Sequence, residues 1–330
     1  MTGLRPHATP VVVVLCEHLE DRPSHLDPLN SRLELRFTDA ARLPDAIAGA
    51  QVLFLWDFFS SAVEQVWDRC TELQWIHVAA AGVDTMLFPG LVSSDVVVTN
   101  ARGTFDRPIA EFVLASVLAH AKLLHESRDL QRRHQWRHRE TRGVAGACAL
   151  VVGTGAIGRQ IARQLTAAGL HVRGAGRSPG DADPDFGTLI PSAELPGQVG
   201  WADYVVNATP LTDATHGLFD AAVFAAMKPT AHFINIGRGP SVVEADLLAA
   251  LNSRSIEGAS LDVFDTEPLP ADSPLWDAPG MVVSAHMSGD VVGWRDTLAM
   301  QFVDNAERWL AGQPLVNVVD KALGYVKAGS

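Results

Sequence analysis

The stretch Ala147–Ser178 constrains the fold more than any other in the chain. It reads A-C-A-L-V-V-G-T-G-A-I-G-R-Q-I-A-R-Q-L-T-A-A-G-L-H-V-R-G-A-G-R-S. Cys148–Val152 is an apolar run of strand length, followed at once by Gly153, Gly155 and Gly158 as G-x-G-x-x-G. Ile157, Ile161 and Leu165 recur every four residues and give the next segment one apolar helical face. Gly169 suits the position just past a helix C-terminus, and Leu170–Ala175 predicts a second strand. The whole is a βαβ unit. Its glycines, with Ala156 and Ile157 opening the helix, let backbone approach a pyrophosphate, and the helix N-terminus offers unpaired N–H groups and a positive dipole end. In a chain with 27 glycines the spacing alone says little. Strand before and strand after turn it into a prediction of dinucleotide binding.

The end of the second strand addresses which dinucleotide. An acidic residue there pairs with a free ribose hydroxyl and repels a 2′-phosphate. This strand ends Gly176-Arg177-Ser178, with no carboxylate. Arg177 can pair with the phosphate and Ser178 can add a hydrogen bond, so NADP(H) is the expected cofactor, with NAD(H) as the lesser possibility.

At 330 residues the chain is long enough for two domains, each with its own core. No stretch approaches ~20 continuous apolar residues, so no membrane span is expected. Met1–Pro10 lacks the charged-then-apolar order of a signal peptide. Cys16, Cys70 and Cys148 are scattered and odd in number, which argues against a disulfide framework or a metal site and for a reducing cytoplasm. The net charge of −12 disfavours nucleic acid as a partner.

Ahead of the βαβ unit, Val11–Leu15, Leu33–Phe37, Val52–Leu55, Trp75–Val78 and Val96–Thr99 are strand candidates, with a helical pattern at Ala62–Cys70. The alternation describes a small α/β domain with a mostly parallel sheet. Ala79-Ala80-Ala81-Gly82-Val83-Asp84 follows one strand; it is either a plain turn or a set of small residues leaving backbone N–H groups open to an anion. From Asp106 and Pro108 an apolar face runs to about His125, predicting a long helix toward the second domain. Arg128–Arg142 is the one basic block, rich in arginine and histidine around Trp136. A solvated or subunit-facing linker is the reading preferred to nucleic-acid binding, because the rest of the charge opposes the latter.

Past the βαβ unit, Tyr204–Ala208, His232–Ile236, Gly258–Val263 and Met281–Ala285 bring the second domain to six strands, the number of a complete dinucleotide-binding sheet. Asp220–Met227 and Ala245–Leu251 read as helices between them, and Trp294–Leu310 as a final amphipathic helix. The tail is expected to return to the first domain. Ligands of such sheets sit beyond the strands' carboxyl ends, where this chain has Thr209-Pro210, Gly237-Arg238, Glu267-Pro268 and His286.

Arg238, Glu267 and His286 suit the reduction of a ketone. Imidazole takes and gives protons near neutrality, so His286 fits the proton donor. Glu267 can bond its far nitrogen and favour the imidazolium. The planar fork of Arg238 can hold a carboxylate and the adjacent carbonyl oxygen together.

The sequence resembles the D-isomer-specific 2-hydroxyacid dehydrogenase family over essentially its whole length. The motifs are V-V-G-T-G-A-I-G-R (Val151–Arg159), N-A-T-P-L-T-D-A-T (Asn207–Thr215), F-I-N-I-G-R-G (Phe233–Gly239), L-D-V-F-D-T-E-P-L-P (Leu261–Pro270), S-A-H (Ser284–His286) and N-V-V-D-K-A-L-G-Y (Asn317–Tyr325). The resemblance implies two α/β domains: a Rossmann-type, doubly wound parallel sheet over residues 121–296, inserted in a smaller flavodoxin-like domain made of residues 1–120 and 297–330. It implies a cleft between them, a homodimer, a small 2-keto or 2-hydroxy acid as substrate, and Arg238, Glu267 and His286 as the catalytic trio. Ala81 and Gly82 would give N–H groups to the substrate carboxylate. Thr209, Pro210, Thr215, Ile236, Gly237, Asp262, Ser288 and Gly289 would line the cofactor, Asp262 near the carboxamide. Trp56 and the Gly176-Arg177-Ser178 ending resemble the NADP-preferring glyoxylate/hydroxypyruvate reductase branch.

Some positions depart from the family pattern: Ala285 stands where proline often precedes the histidine, and His286-Met287-Ser288-Gly289 is a less familiar continuation. Trp294 with Trp56, Phe58 and Phe59 is expected to narrow or enlarge the pocket, which leaves the substrate open. Formate dehydrogenase relatives pair the histidine with glutamine, so Glu267 argues against their chemistry. A different class remains open: a dinucleotide-sensing, corepressor-like interaction protein without turnover. A methyltransferase is more distant, since its nucleoside site would want an acidic residue at Gly176-Arg177.

Overall fold

The computed structural model describes residues 9–327, and in it the short apolar runs form two separate sheets. Residues 1–8, most of the stretch read for a leader, lie outside the described residues. The chain divides into two compact units, one of residues up to 104 with those from 291 onward, the other of residues 105–290.

The first unit contains β1 (Val11–Leu15), β2 (Glu34–Thr38), α1 (Leu43–Ala46), β3 (Val52–Leu55), α2 (Ala62–Gln65), β4 (Trp75–Val78), α3 (Pro89–Val92) and β5 (Val97–Asn100). The strands pair in parallel in the order β2-β1-β3-β4-β5, the flavodoxin-like order. Every residue of β1, β3 and β4 is buried, as expected of central parallel strands covered on both faces. One face packs Val13, Leu15, Leu53, Leu55, Ile76 and Val78 against Leu43, Val63 and Leu91. The other meets the last helix, Trp294–Leu310, whose Phe302 ring stacks 4.0 Å from Phe54 and 5.4 Å from Trp75. His77 is fully buried in this aromatic nest, with Nδ1 2.8 Å from Thr99 Oγ1, and burial pushes its pKa down to about 3. The tail lies along β5: the Val319 N–H donates to the Val98 carbonyl, and Lys321 Nζ donates to the carbonyls of Leu91, Ser94 and Val96. An otherwise open sheet edge is thereby covered.

The second unit runs α4 (Asp106–Ala121), α5 (Leu124–Arg132), β6 (Cys148–Val152), α6 (Ala156–Ala167), β7 (His171–Gly176), β8 (Gly180–Asp183), β9 (Gly187–Pro191), α7 (Leu195–Gln198), β10 (Tyr204–Asn207), α8 (Ala221–Ala226), β11 (His232–Asn235), α9 (Glu244–Asn252), β12 (Gly258–Leu261) and β13 (Met281–Val283). The sheet order is β13-β12-β11-β10-β6-β7-β9-β8, parallel except for β8. From β9 inward this is the doubly wound pattern. Gly169, at φ +92°, ends α6: its N–H donates to the Thr166 carbonyl and the Leu170 N–H to that of Leu165.

Four details differ from the sequence reading. The unit boundaries fall at 104/105 and 290/291 instead of 120/121 and 296/297; at the first of them α4 packs along α6 and so belongs to the second unit. The helix expected to reach His125 stops at Ala121; Leu123 takes a left-handed φ of 51°, and α5 then covers the first part of the basic block. The helix expected over Ala62–Cys70 splits at Val66 into α2 and a 3-10 turn at Trp67–Arg69. The hairpin β8–β9 was not anticipated. No single helix among the described residues is long and apolar enough to cross a membrane.

Candidate active site

β6 delivers the glycine loop at the carboxyl edge of the second sheet. Gly153 has φ +109°, and a Cβ there would lie 2.4 Å from the Ala208 carbonyl oxygen. A Cβ on Gly158 would lie 1.9 Å from the Gly153 carbonyl oxygen, so α6 approaches β6 only because that side chain is missing. Gly155 is different, since a Cβ there would meet nothing within 4 Å. It is the N-cap of α6, with no side-chain cap and no acidic residue in the first turn. Two glycines therefore serve the fold, and the third leaves the helix N-terminus at Ala156 and Ile157 approachable. That arrangement fits a dinucleotide diphosphate. Arg177 and Ser178 are exposed directly after β7. The carboxylates of Asp183 and Asp185, further along, are taken up by Arg159 and Arg163.

The neighbouring strand ends are tied together by a buried network that the sequence reading missed. Asn207 and Asn235 are register partners at the ends of β10 and β11. Asn207 Nδ2 donates to Asn235 Oδ1 at 2.9 Å and to Ser241 Oγ at 2.6 Å, and its Oδ1 accepts from the N–H and hydroxyl of Thr209. Asn235 Oδ1 also accepts from the Gly237 N–H, while Asn235 Nδ2 and Ser241 Oγ both donate to the Arg238 carbonyl. Thr209, Gly237 and Arg238 are thus fixed by side chains that are themselves fully buried. Leaving one such group unpaired costs about 1–3 kcal/mol. Thr215 closes the loop after Thr209 through Oγ1, which donates to the Pro210 carbonyl. Ile236, also expected at the cofactor, is buried and bonded through its N–H to the Asn207 carbonyl. The readable signal was an asparagine closing each of two adjacent apolar runs.

His286, Glu267 and Arg238 come together beyond β11, β12 and β13. His286 Nδ1 lies 2.7 Å from Glu267 Oε2, and Glu267 Oε1 accepts from the Phe264 N–H at 2.8 Å. Burial by itself would raise the Glu267 pKa, but the hydrogen bonds from His286 and Phe264 and the positive charge of Arg238 outweigh it and hold the carboxyl below its ordinary value. Arg238 is half-buried, with Nη1 donating to the Gly237 carbonyl. The next residue, Gly239, has no room for a Cβ, which would lie 1.8 Å from the Phe264 carbonyl oxygen. The arginine loop and the glutamate loop therefore pack backbone to backbone. His286 itself takes φ +51°. Its N–H donates to the Asp262 carbonyl, and the two Asp262 carboxylate oxygens accept from the N–H groups of Met287 and Ser288. Asp262, expected near the carboxamide, is thus engaged in shaping the histidine loop. Gly289 is buried against Phe105, whose ring would lie 2.6 Å from a Cβ there.

The remaining expected residues are in the first unit. Trp56, directly after β3, is buried, and its Nε1–H donates to the Asp21 carbonyl. Ala81 and Gly82 follow β4; Asn100 Nδ2 donates to the Ala81 carbonyl, so the N–H of Gly82, in the same trans peptide, points the opposite way. Among the described residues no group of three or more His, Cys, Asp and Glu side chains is placed to hold a metal ion.

A family model described as the D-isomer specific 2-hydroxyacid dehydrogenase NAD binding domain matches residues 114–288. Among curated relatives, glyoxylate/hydroxypyruvate reductase A of Serratia proteamaculans is 30% identical over 77% of this chain and 82% of its own length. Among solved structures, a D-isomer specific 2-hydroxyacid dehydrogenase from Xanthobacter autotrophicus, in complex with NADPH and MES, superimposes with a TM-score of 0.83 at 32% identity, covering 96% of this chain and 100% of that one. An NADPH-dependent glyoxylate/hydroxypyruvate reductase from Sinorhizobium meliloti, in complex with NADP and sulfate, gives 0.82 at 30% identity over 96% and 100%.

Proposed function

Because the chain belongs to the D-isomer-specific 2-hydroxyacid dehydrogenase family, and is thus an oxidoreductase acting on CH–OH donors, we propose that it reduces a small 2-keto acid to the D-2-hydroxy acid with NADPH. The observation that carries the reading is the His286–Glu267 pair beside Arg238, at the sheet edge that also presents the glycine loop. NADPH, when bound, supplies the hydride. Arg238 holds the substrate carboxylate and polarises the ketone oxygen. His286, with Nδ1 against Glu267, gives the Nε2 proton to that oxygen as the C2–H bond forms, and the carboxylate stabilises the imidazolium that does so. The Ala81-Gly82 backbone binds the carboxylate, and Trp56 limits the size of the substrate's far group. Arg177 and Ser178 take the 2′-phosphate. Support for this cofactor choice comes from the similar structures crystallised with NADPH or NADP, and for the substrate class from relatives named glyoxylate/hydroxypyruvate reductases.

The test is oxidation of NADPH beside NADH with glyoxylate, hydroxypyruvate, pyruvate, 2-ketobutyrate and phenylpyruvate. Turnover on at least one, faster with NADPH, is expected. Tight NADPH binding with no turnover on any overturns the reading in favour of a corepressor-like dinucleotide sensor.

We also propose a homodimer in a reducing cytoplasm. The three cysteines are free thiols. Trp136 is fully exposed on an arm pinned at its base by Arg142 on Glu257 and by Lys122 on the Arg142 carbonyl. A basic, aromatic arm on a chain of net charge −12 finds its complement on a second copy. Light scattering is expected to give twice the 35.4 kDa chain mass, and Trp136→Ala to shift it toward the single chain. A single-chain mass for the unaltered protein rules this out.

A further inference from the structure

The geometry points to the hairpin β8–β9 as the element that sets NADP(H) affinity: Asp183 and Asp185, gripped by Arg159 and Arg163, position Arg177 and Ser178 for the 2′-phosphate. The inference rests on the assignment of Arg177 and Ser178 proposed above.

Only three residues, Arg177, Ser178 and Pro179, connect the end of β7 to the start of β8. The first end of this loop is fixed by the sheet. Gly176 pairs with Pro191, and a Cβ on it would lie 2.9 Å from Thr154 Oγ1. The second end is held far less by backbone, because β8 is the outermost strand, pairs with β9 alone, and does so with a register shift.

Side chains supply what the ladder lacks. Both carboxylate oxygens of Asp183 accept from Arg159 at 3.0 Å, and one of them also accepts from the Asp185 and Phe186 N–H groups. Asp185 accepts from Arg159 at 2.9 Å and from Arg163 at 2.6 and 3.1 Å. These bonds, with the arginine charges, hold both aspartates below the ordinary carboxylate range. The two carboxylates are only 11% and 9% exposed. Phe186, at the turn, is buried against Gly174, where a Cβ would lie 2.8 Å from its ring, and Arg159 covers the ring at 5.4 Å.

Arg159 rises from the first turn of α6, three residues after the Ala156 that opens the diphosphate site. One rigid helix therefore presents one anion site and grips the element carrying the other. The spacing between the two phosphate-binding groups is set by the clamp, and NADP(H) alone uses both.

Charge alone would act in the opposite sense. Two carboxylates in the element beside a phosphate site repel the phosphate, so neutralising them would tighten NADPH binding if charge were all that mattered. Under the positioning account, Asp183→Asn with Asp185→Asn frees the hairpin and weakens it.

The test is fluorescence titration of the whole protein with NADPH and with NADH, beside thermal unfolding. The double variant is expected to raise the NADPH Kd about tenfold and to leave the NADH Kd within about twofold. Arg163→Gln, which removes only the exposed branch of the clamp, is expected to raise the NADPH Kd by about threefold and serves if the double variant folds poorly. Arg177→Ala is the control on the underlying assignment. If it weakens NADPH selectively while the double variant leaves NADPH binding unchanged, tightens it, or weakens both cofactors alike, the clamp is only structural and this inference fails alone. If Arg177→Ala does not discriminate between the cofactors, the 2′-phosphate assignment fails and takes the inference with it.

Discussion

His286→Ala lowers kcat by about 10²–10⁴-fold and leaves the NADPH dissociation constant nearly unchanged. The split follows from where the residue stands. Its side chain meets Glu267, while the glycine loop that fits the diphosphate is held by Gly153 and Gly158 against backbone. Removing the imidazole therefore deletes the proposed proton donor without disturbing the glycine loop. Glu267→Gln is the companion experiment. The amide oxygen can still accept from the Phe264 N–H, so the loop keeps its shape, but the charge that stabilises an imidazolium is gone. Its kcat is expected to fall less than that of His286→Ala. Steady-state rates and NADPH titrations on both proteins check this, and an unchanged rate for His286→Ala removes the histidine from the chemistry.

The second large effect is acid lability. His77 is fully buried between Phe54, Trp75 and Phe302, and its pKa in the folded chain is about 3. An unfolded chain binds a proton on that residue below about pH 6.5. Between these two values the unfolded state holds more protons than the folded one, so stability falls as pH falls. The slope is about 1.4 kcal/mol per pH unit, or about 3 kcal/mol at pH 4.5. It is fully relieved above the unfolded value and stops growing below the folded one. His232, buried with Nε2 on Ser260 Oγ, is shifted in the same direction by its burial and steepens the loss. Urea unfolding at pH 7.5 and 4.5 measures the sum. His77→Phe, which preserves an aromatic ring in the nest, should recover about 3 kcal/mol of the acid loss, and an unaltered difference between the two pH values assigns it to other groups.

Much of this architecture was readable because central parallel strands are buried on both faces and so appear as bare apolar runs. Val11–Leu15, Val52–Leu55, Trp75–Val78 and Cys148–Val152 form strands with the expected ends. The meeting of Arg238, Glu267 and His286 was foreseeable for a related reason: residues that follow such runs gather at one edge of the sheet. The hairpin was hidden because Gly180–Pro191 is rich in Gly, Pro and Asp, which ordinarily mark turns. Its strands are held by ion pairs to another element, and a pattern read along the chain carries no trace of them. The break at Leu123 was missed because the apolar face continues through it. Asn207 and Asn235 enter the sequence reading only as motif letters and Ser241 not at all; what joins them is a register between strands distant in sequence.

Asp262 holds the N–H groups of three successive residues, His286, Met287 and Ser288. A loop with Ala285 and Met287 exposed would ordinarily exchange its amide hydrogens on its own fast schedule. Here solvent hydrogen reaches these three amides only when Asp262, nearly inaccessible at the end of β12, lets go with its carbonyl and its carboxylate. The loop that carries the histidine therefore keeps the time of the sheet interior, and deuterium uptake at His286–Ser288 reports how often that end of the sheet opens.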